Sequence, residues 1–152
     1  MSRQDAFAKA GRDAVQQNIQ GTLEFFRQFP PFDSMEPAEL GFLVENCVLR
    51  FYAQGESVIT PGDGPVEHLY IIKQGRVYGE RRKGQDVDDE TIFELSIGEC
   101  FPMAALLGER ATRTSHTADE DTFCFLLTKD AFVRLMQRSD VFRDFCVRGI
   151  SS

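Results

Sequence analysis

Between Val48 and Leu127 the sequence breaks into short runs rich in β-branched and aromatic residues: VLRFY, SVI, LYII, RVYGE, TIFEL and TFCFLL. Such runs, divided by glycines, predict strands and turns. Gly55, Gly62, Gly64, Gly75, Gly84 and Gly98 fall between them, where tight turns ask for a positive φ that a side chain would penalise. Strands so evenly spaced suggest a sandwich or barrel. With 152 residues, 42% of them hydrophobic, the chain fits one domain, and a domain of that size buries about 70% of the surface its unfolded chain exposes.

The texture on either side is helical. Val15, Ile19, Leu23 and Phe26 recur at three- and four-residue spacing, which predicts an amphipathic helix over 14–29, stopped by Pro30-Pro31. Glu36-Pro37-Ala38-Glu39 places a proline at a first helical position and a carboxylate near the N-terminal dipole, opening a second helix through about Asn46. After Leu127, Thr128 can cap a helix whose apolar face is Phe132, Leu135 and Met136. Ser139 can cap a further short helix bearing Phe142, Phe145 and Cys146. Phe132 is expected in the core, while Phe142 and Phe145 are left between core and interface. The expected fold class is mainly β with flanking helices: an antiparallel, jelly-roll-like β-roll with helices before and after it.

Composition narrows the function. The net charge is −7, and the one basic run, Arg81-Arg82-Lys83, is followed by Asp86, Asp88, Asp89 and Glu90, which reads as the solvated arm of a hairpin. No nucleic-acid partner is expected. No run of 18 or more uncharged apolar residues exists, and charges stand where a secretory segment would need an apolar stretch, so neither a membrane partner nor export is expected. The chain reads as cytoplasmic. Cys47, Cys100, Cys124 and Cys146 are too scattered for a zinc site or a disulfide framework and are expected to be mostly reduced core residues. His68 and His116 are the only histidines, too few for a three-nitrogen metal site; His68 reads as a loop residue and His116 as a strand residue. No Gly-x-Ser-x-Gly motif occurs, and Asp119-Glu120-Asp121 reads as a solvated turn, so no enzymatic activity is expected.

Three stretches carry a resemblance. FYAQGESVITPGD (51–63), LYIIKQGRV (69–77) and LSIGECF (95–101) resemble, in order and approximate spacing, cyclic nucleotide-binding domains of the Crp-like effector fold. The likeness covers roughly Phe26 to Met136, with Gly55-Glu56, Gly62-Asp63 and Gly75 as its most specific matches. The helical extension and GECFPMAALLGERATRTSHTADEDTFCFLL resemble, more closely, the N-terminal sensor module of bacterial proteins that continue into tandem CBS domains and a nucleotidyltransferase-like domain. This implies a helical extension over 1–30, a cyclic nucleotide-binding-like β-roll with its flanking helices over 31–138, and a helix over 139–152 leading into a downstream region. DNA-binding members of the fold need a further helix-turn-helix, more than this tail offers.

In that family the binding cassette reads Phe-Gly-Glu, a short helix, then Pro-Arg-Ala-Ala. Its arginine pairs with the cyclic phosphate and its glutamate accepts the ribose hydroxyl. Aligned from Phe101, the Gly position is Pro102, the Glu position is Met103 and the Arg position is Thr112. Methionine cannot accept the ribose hydrogen bond, proline lacks the amide and threonine carries no charge. The candidate ligand-binding set is Phe101, Pro102, Met103, Ala104, Ala105, Leu106, Arg110, Thr112, Arg113 and Thr114. Four readings stay open: a sensor or interaction module unsuited to ordinary cAMP; a sensor of a non-ribose anion held by Arg110 or Arg113 and the cassette amides; a true cAMP or cGMP binder through a displaced arginine; or a structural domain that dimerises through its terminal helices, its cassette filled by side chains such as Met103. No cofactor is expected.

Overall fold

The computed structural model describes residues 3–81 and 91–150. Among the described residues, eight strands form two four-stranded antiparallel sheets. The first sheet has the order β1 (Cys47–Tyr52), β8 (Thr122–Thr128), β3 (His68–Gln74), β6 (Cys100–Phe101). The second has the order β2 (Ser57–Ile59), β7 (Ser115–Ala118), β4 (Val77–Arg81), β5 (Thr91–Leu95). This is the β-roll expected from the glycine-punctuated runs. Strand β6 is an addition, because two residues are too few for a pattern, whereas β7 contains His116, which was expected in a strand. His68, expected in a loop, is the first residue of β3 and pairs with Thr128. Gly55, Gly64, Gly75 and Gly98 adopt the positive φ the turns require. Gly62 does not: it sits inside a single 3-10 turn, Pro61–Asp63. Gly84 and the segment Arg82 to Glu90 lie outside the described residues.

The long N-terminal helix is corrected to two, α1 (Arg3–Gln17) and α2 (Ile19–Phe26). Asn18 breaks it, with φ −137° and ψ 51°. Its Oδ1 accepts from the Gly21 amide at 3.2 Å, so the side chain caps the new helix instead of continuing the old one. A Cβ at Gly21 would lie 2.5 Å from that side chain, so the cap needs glycine there. Ile19, placed on the apolar face by spacing, is consequently 42% exposed.

Helix α3 (Pro37–Asn46) follows as expected, with the Glu39 carboxylate accepting from the Glu36 amide at 2.9 Å. Helix α4 (Met103–Leu107) is one short turn between β6 and β7. Helices α5 (Lys129–Arg138) and α6 (Asp140–Ile150) begin at the expected caps. Thr128 Oγ1 accepts from the Ala131 amide at 3.2 Å, and Ser139 Oγ from the Phe142 amide at 3.1 Å.

A row of phenylalanines ties helices to sheet. Phe125 of β8 packs on Phe26 of α2 at 5.0 Å between ring centroids, Phe26 on Phe32 at 4.9 Å, Phe32 on Phe142 of α6 at 6.3 Å, and Phe142 on Phe132 of α5 at 5.7 Å. All five are buried, which places Phe142 in the core. Each such ring removes 150–250 Å² from water, so the row is a large share of what holds the helices down. All four cysteines are unpaired. Burial pushes the thiols of Cys47, Cys124 and Cys146 up to about 12, and it raises that of Cys100 as well.

Candidate functional site

The cassette begins where β6 ends. Pro102 has an extended ψ of 105° that turns the chain from strand into α4. The apolar side of α4 faces the roll, burying Ala105 and Leu106, while Met103 is half-buried and Ala104 exposed. The return loop is pinned at several points. Arg110 N donates to Ala105 O at 3.1 Å, and Val66 N donates to Arg110 O at 3.1 Å. An isolated β-bridge joins Ala111 to Pro65. Glu109, at φ 53°, holds Lys129 at 2.8 Å, and this partner draws its carboxyl below the usual range.

Thr112 closes the loop. Its hydroxyl donates to Thr114 O at 3.1 Å and accepts from Thr114 N at 3.1 Å, and both threonines are buried. The side chain is therefore spent on the backbone two residues on, a local turn of the kind threonine favours.

These elements enclose a cavity of about 730 Å³. Of the ten candidate residues, Phe101, Pro102, Met103, Ala104, Ala105, Arg110, Thr112, Arg113 and Thr114 line it. Leu106 does not, being packed into the core instead. The structure adds Arg81 and Phe93 from the β4–β5 hairpin, His116 from β7, and Phe145 and Gly149 from α6. Arg81, read as part of a solvated arm, is exposed yet borders the cavity. Phe145, left open by sequence, is half-buried on the same wall. His116, expected in a strand, lies in one where the second and fourth residues of SHTA are the buried ones, so strand alternation turns the histidine inward.

Charge is uneven around the opening. Among the described residues, no carboxylate lies within ion-pair distance of Arg81, Arg110 or Arg113. Glu99, also on the wall, has one carboxylate oxygen accepting from the Ser96 amide and hydroxyl, both at 2.9 Å. Arg110 is not free to swing inward at no cost, because its guanidinium donates to Ala111 O at 3.0 Å. Arg113 is exposed and carries no such bond. Asp119 and Glu120 lie outside this site: they pair with Arg76 at 3.4 and 3.3 Å, while Asp121 accepts from Gln54 N at 2.9 Å. They hold a turn, as expected.

His116 is the unusual polar group of the wall. It is 3% exposed, its ring stacks on Phe101 at 4.6 Å and 21°, and Nδ1 has no hydrogen-bond partner among the described residues. Burial holds its pKa down at about 4, against a smaller opposing effect of the Thr114 backbone, so the ring is neutral at physiological pH.

A family profile described as the cyclic nucleotide-binding domain matches residues 49–139. The chain is 31% identical over 118 residues to a cAMP-dependent protein kinase regulatory subunit of Mycosarcoma maydis, covering 74% of this chain and 22% of that protein. It thus spans about a fifth of that relative. Among solved structures it is similar to the regulatory domain of Toxoplasma gondii protein kinase A in complex with cAMP, with a TM-score of 0.78 and 18% identity over 92% of this chain and 52% of that one. It is also similar to a regulatory subunit of a cAMP-independent protein kinase A from Trypanosoma cruzi bound to guanosine, with a TM-score of 0.70 and 22% identity over 85% of this chain and 43% of that one. With strands, turns and cavity-bearing cassette in that family's order and its profile matched over more than half the sequence, the chain belongs to the cyclic nucleotide-binding domain family.

Proposed function

We propose that the chain is a non-catalytic sensor domain of a larger regulatory protein, with a cavity unsuited to ordinary cAMP that takes another small ligand. The observation that carries this reading is Thr112. It stands where the family's phosphate-binding arginine is expected, it is buried, and its hydroxyl is committed to Thr114. Met103, at the glutamate position, adds no acceptor for a ribose hydroxyl. Losing one charged contact to an anion in a desolvated site costs about 2–5 kcal/mol, about 30- to 4,000-fold in affinity. The guanosine in the Trypanosoma cruzi structure supports a fold that can hold a nucleoside with no phosphate.

A second reading keeps an anionic ligand, cAMP or cGMP included, through a displaced arginine. It is favoured by Arg110 and Arg113 bordering the cavity without a carboxylate partner. The pinned backbone on both sides of Ala111 weighs against the loop shift it needs. The open cavity likewise weighs against a cassette filled by Met103. Titration of the domain with cAMP separates the first two readings. The expected result is no binding below millimolar for the wild type and a gain of at least about 30-fold in the double variant Thr112→Arg/Met103→Glu. Micromolar cAMP binding by the wild type, abolished by Arg113→Ala, would establish the displaced arginine instead.

In this reading residues 1–30 are a helical extension, 31–138 the sensor and 139–152 the connection to downstream domains, tandem CBS domains and a nucleotidyltransferase-like domain being the proposed continuation. The other partner is a second copy of the chain, joined through the terminal helices. The proposed location is the cytoplasm; no helix among the described residues is long and apolar enough to cross a membrane. A ligand acts by moving α6, since Phe145 and Gly149 line the cavity and α4 packs on α6. Such signalling requires different ligand affinities in two helix positions.

A further inference from the structure

His116 stands opposite Gly79 in the pairing of β7 with β4. A Cβ at Gly79 would lie 2.4 Å from Phe93 Cζ, so the missing side chain makes room for the Phe93 ring to lie over β4 beside the imidazole. Phe93 meets His116 edge-on at 6.2 Å and 79°. Phe101 stacks nearly parallel on the imidazole, and Phe101 stacks in turn on Tyr70 at 5.2 Å and 12°. Phe93, Phe101 and His116 therefore line one wall of the cavity, with Tyr70 stacked on Phe101.

Within this apolar stack the imidazole is out of place. A buried polar group without a partner is normally destabilising by about 1–3 kcal/mol, and an aliphatic side chain of the same size would fill the space at no such cost. The Nδ1 atom has no partner among the described residues and is itself buried, so a ligand in the cavity meets it only with the ring turned over. A neutral imidazole always carries one donor and one acceptor. Turning the ring by 180° about χ2 preserves the stack while exchanging the edge presented to the cavity.

We infer that His116 is the specificity residue of this cavity, hydrogen-bonding the polar edge of a flat heteroaromatic ring that lies along the Phe93 and Phe101 wall. This rests on the reading of the cavity as a ligand site. The remainder of the ligand extends into the rest of the cavity, along α4 and the return loop. His116 thus chooses the ring.

The test compares the wild type with His116→Leu and His116→Gln. Each is titrated with cAMP, cGMP, adenosine, guanosine and, as a ring-free control, orthophosphate, and each is melted without ligand. At least one ring-bearing probe is expected to bind the wild type and to lose about tenfold or more in His116→Leu, with part of the loss recovered in His116→Gln. Orthophosphate binding is expected to be the same in all three proteins. The ligand-free melting temperature of His116→Leu is expected to hold or to rise by a few degrees, as an unsatisfied polar group is removed. Ring-bearing probes that bind both proteins equally overturn the inference and leave the sensing reading standing. A fall of more than about 5 °C in ligand-free His116→Leu makes the imidazole an ordinary structural residue and also overturns it. Binding of no probe to the wild type overturns the sensing reading and this inference together.

Discussion

At the residue scale, His116 makes a pH prediction independent of any ligand. Its pKa falls from the ordinary 6.5 to about 4 on folding, so the unfolded chain binds the proton more tightly. Its contribution is fully present above the unfolded value and is lost as pH falls through the window from about 6.5 toward 4. The size is roughly 3 kcal/mol across that window, at 1.36 kcal/mol per unit. Burial lowers His68 too, so the whole chain loses stability in the same direction. Urea unfolding at pH 7.5 and 5.5 should therefore show a smaller difference in His116→Leu than in the wild type. Equal differences would mean that the imidazole titrates normally and is not buried as described. The chemistry at this residue was only half legible in the sequence. Thr112 and Met103 were found because a motif supplied their positions. His116 and Arg81 were missed as site residues because their importance comes from what the other strands bring beside them, and cross-strand neighbours have no signature in local sequence.

At the element scale, capping decides where helices begin, and caps were among the best-read features. Thr128 and Ser139 act as the sequence suggests, and Glu39 stands in the first turn of α3 as expected, where it also accepts from the Glu36 amide. Asn18 was overlooked because apolar periodicity ran straight through it, and side-chain competition for the backbone outweighed that periodicity. The shortest strand fared worse: β6 is held by pairing with β3, so its existence depends on tertiary register and not on propensity. Ser139 gives a test of one cap. It is fully buried between α5 and α6, and replacing it by alanine is expected to cost about 1 kcal/mol and to fray the first turn of α6. Amide exchange should then quicken at Phe142 and Arg143, whose amides are bonded to Ser139 side chain and carbonyl, more than in β8. Uniformly faster exchange through the β-roll would show that α6 has no separate opening.

At the scale of the whole molecule, the aromatic row sets how independent the helices are of the roll. Phe142 has no exposed surface and touches both Phe32 and Phe132, while Phe32 leads through Phe26 to Phe125 in the sheet. A helix pair so rooted cannot detach without opening the core shared with β8. Yet the same pair reaches the cavity through Phe145, one turn further along α6. One face of α6 is thus anchored in the core at Phe142 and borders the site further along, at Phe145 and Gly149. Truncating Phe142 to alanine is expected to cost about 3–5 kcal/mol, and urea unfolding followed by far-UV circular dichroism should remain a single transition. If α5 and α6 instead melt first and leave a folded roll, the row is not a continuous core. A ligand in the cavity would then act on helices that are merely docked, and occupancy could release them outright; a single transition means that it can only tilt them about the Phe142 anchor.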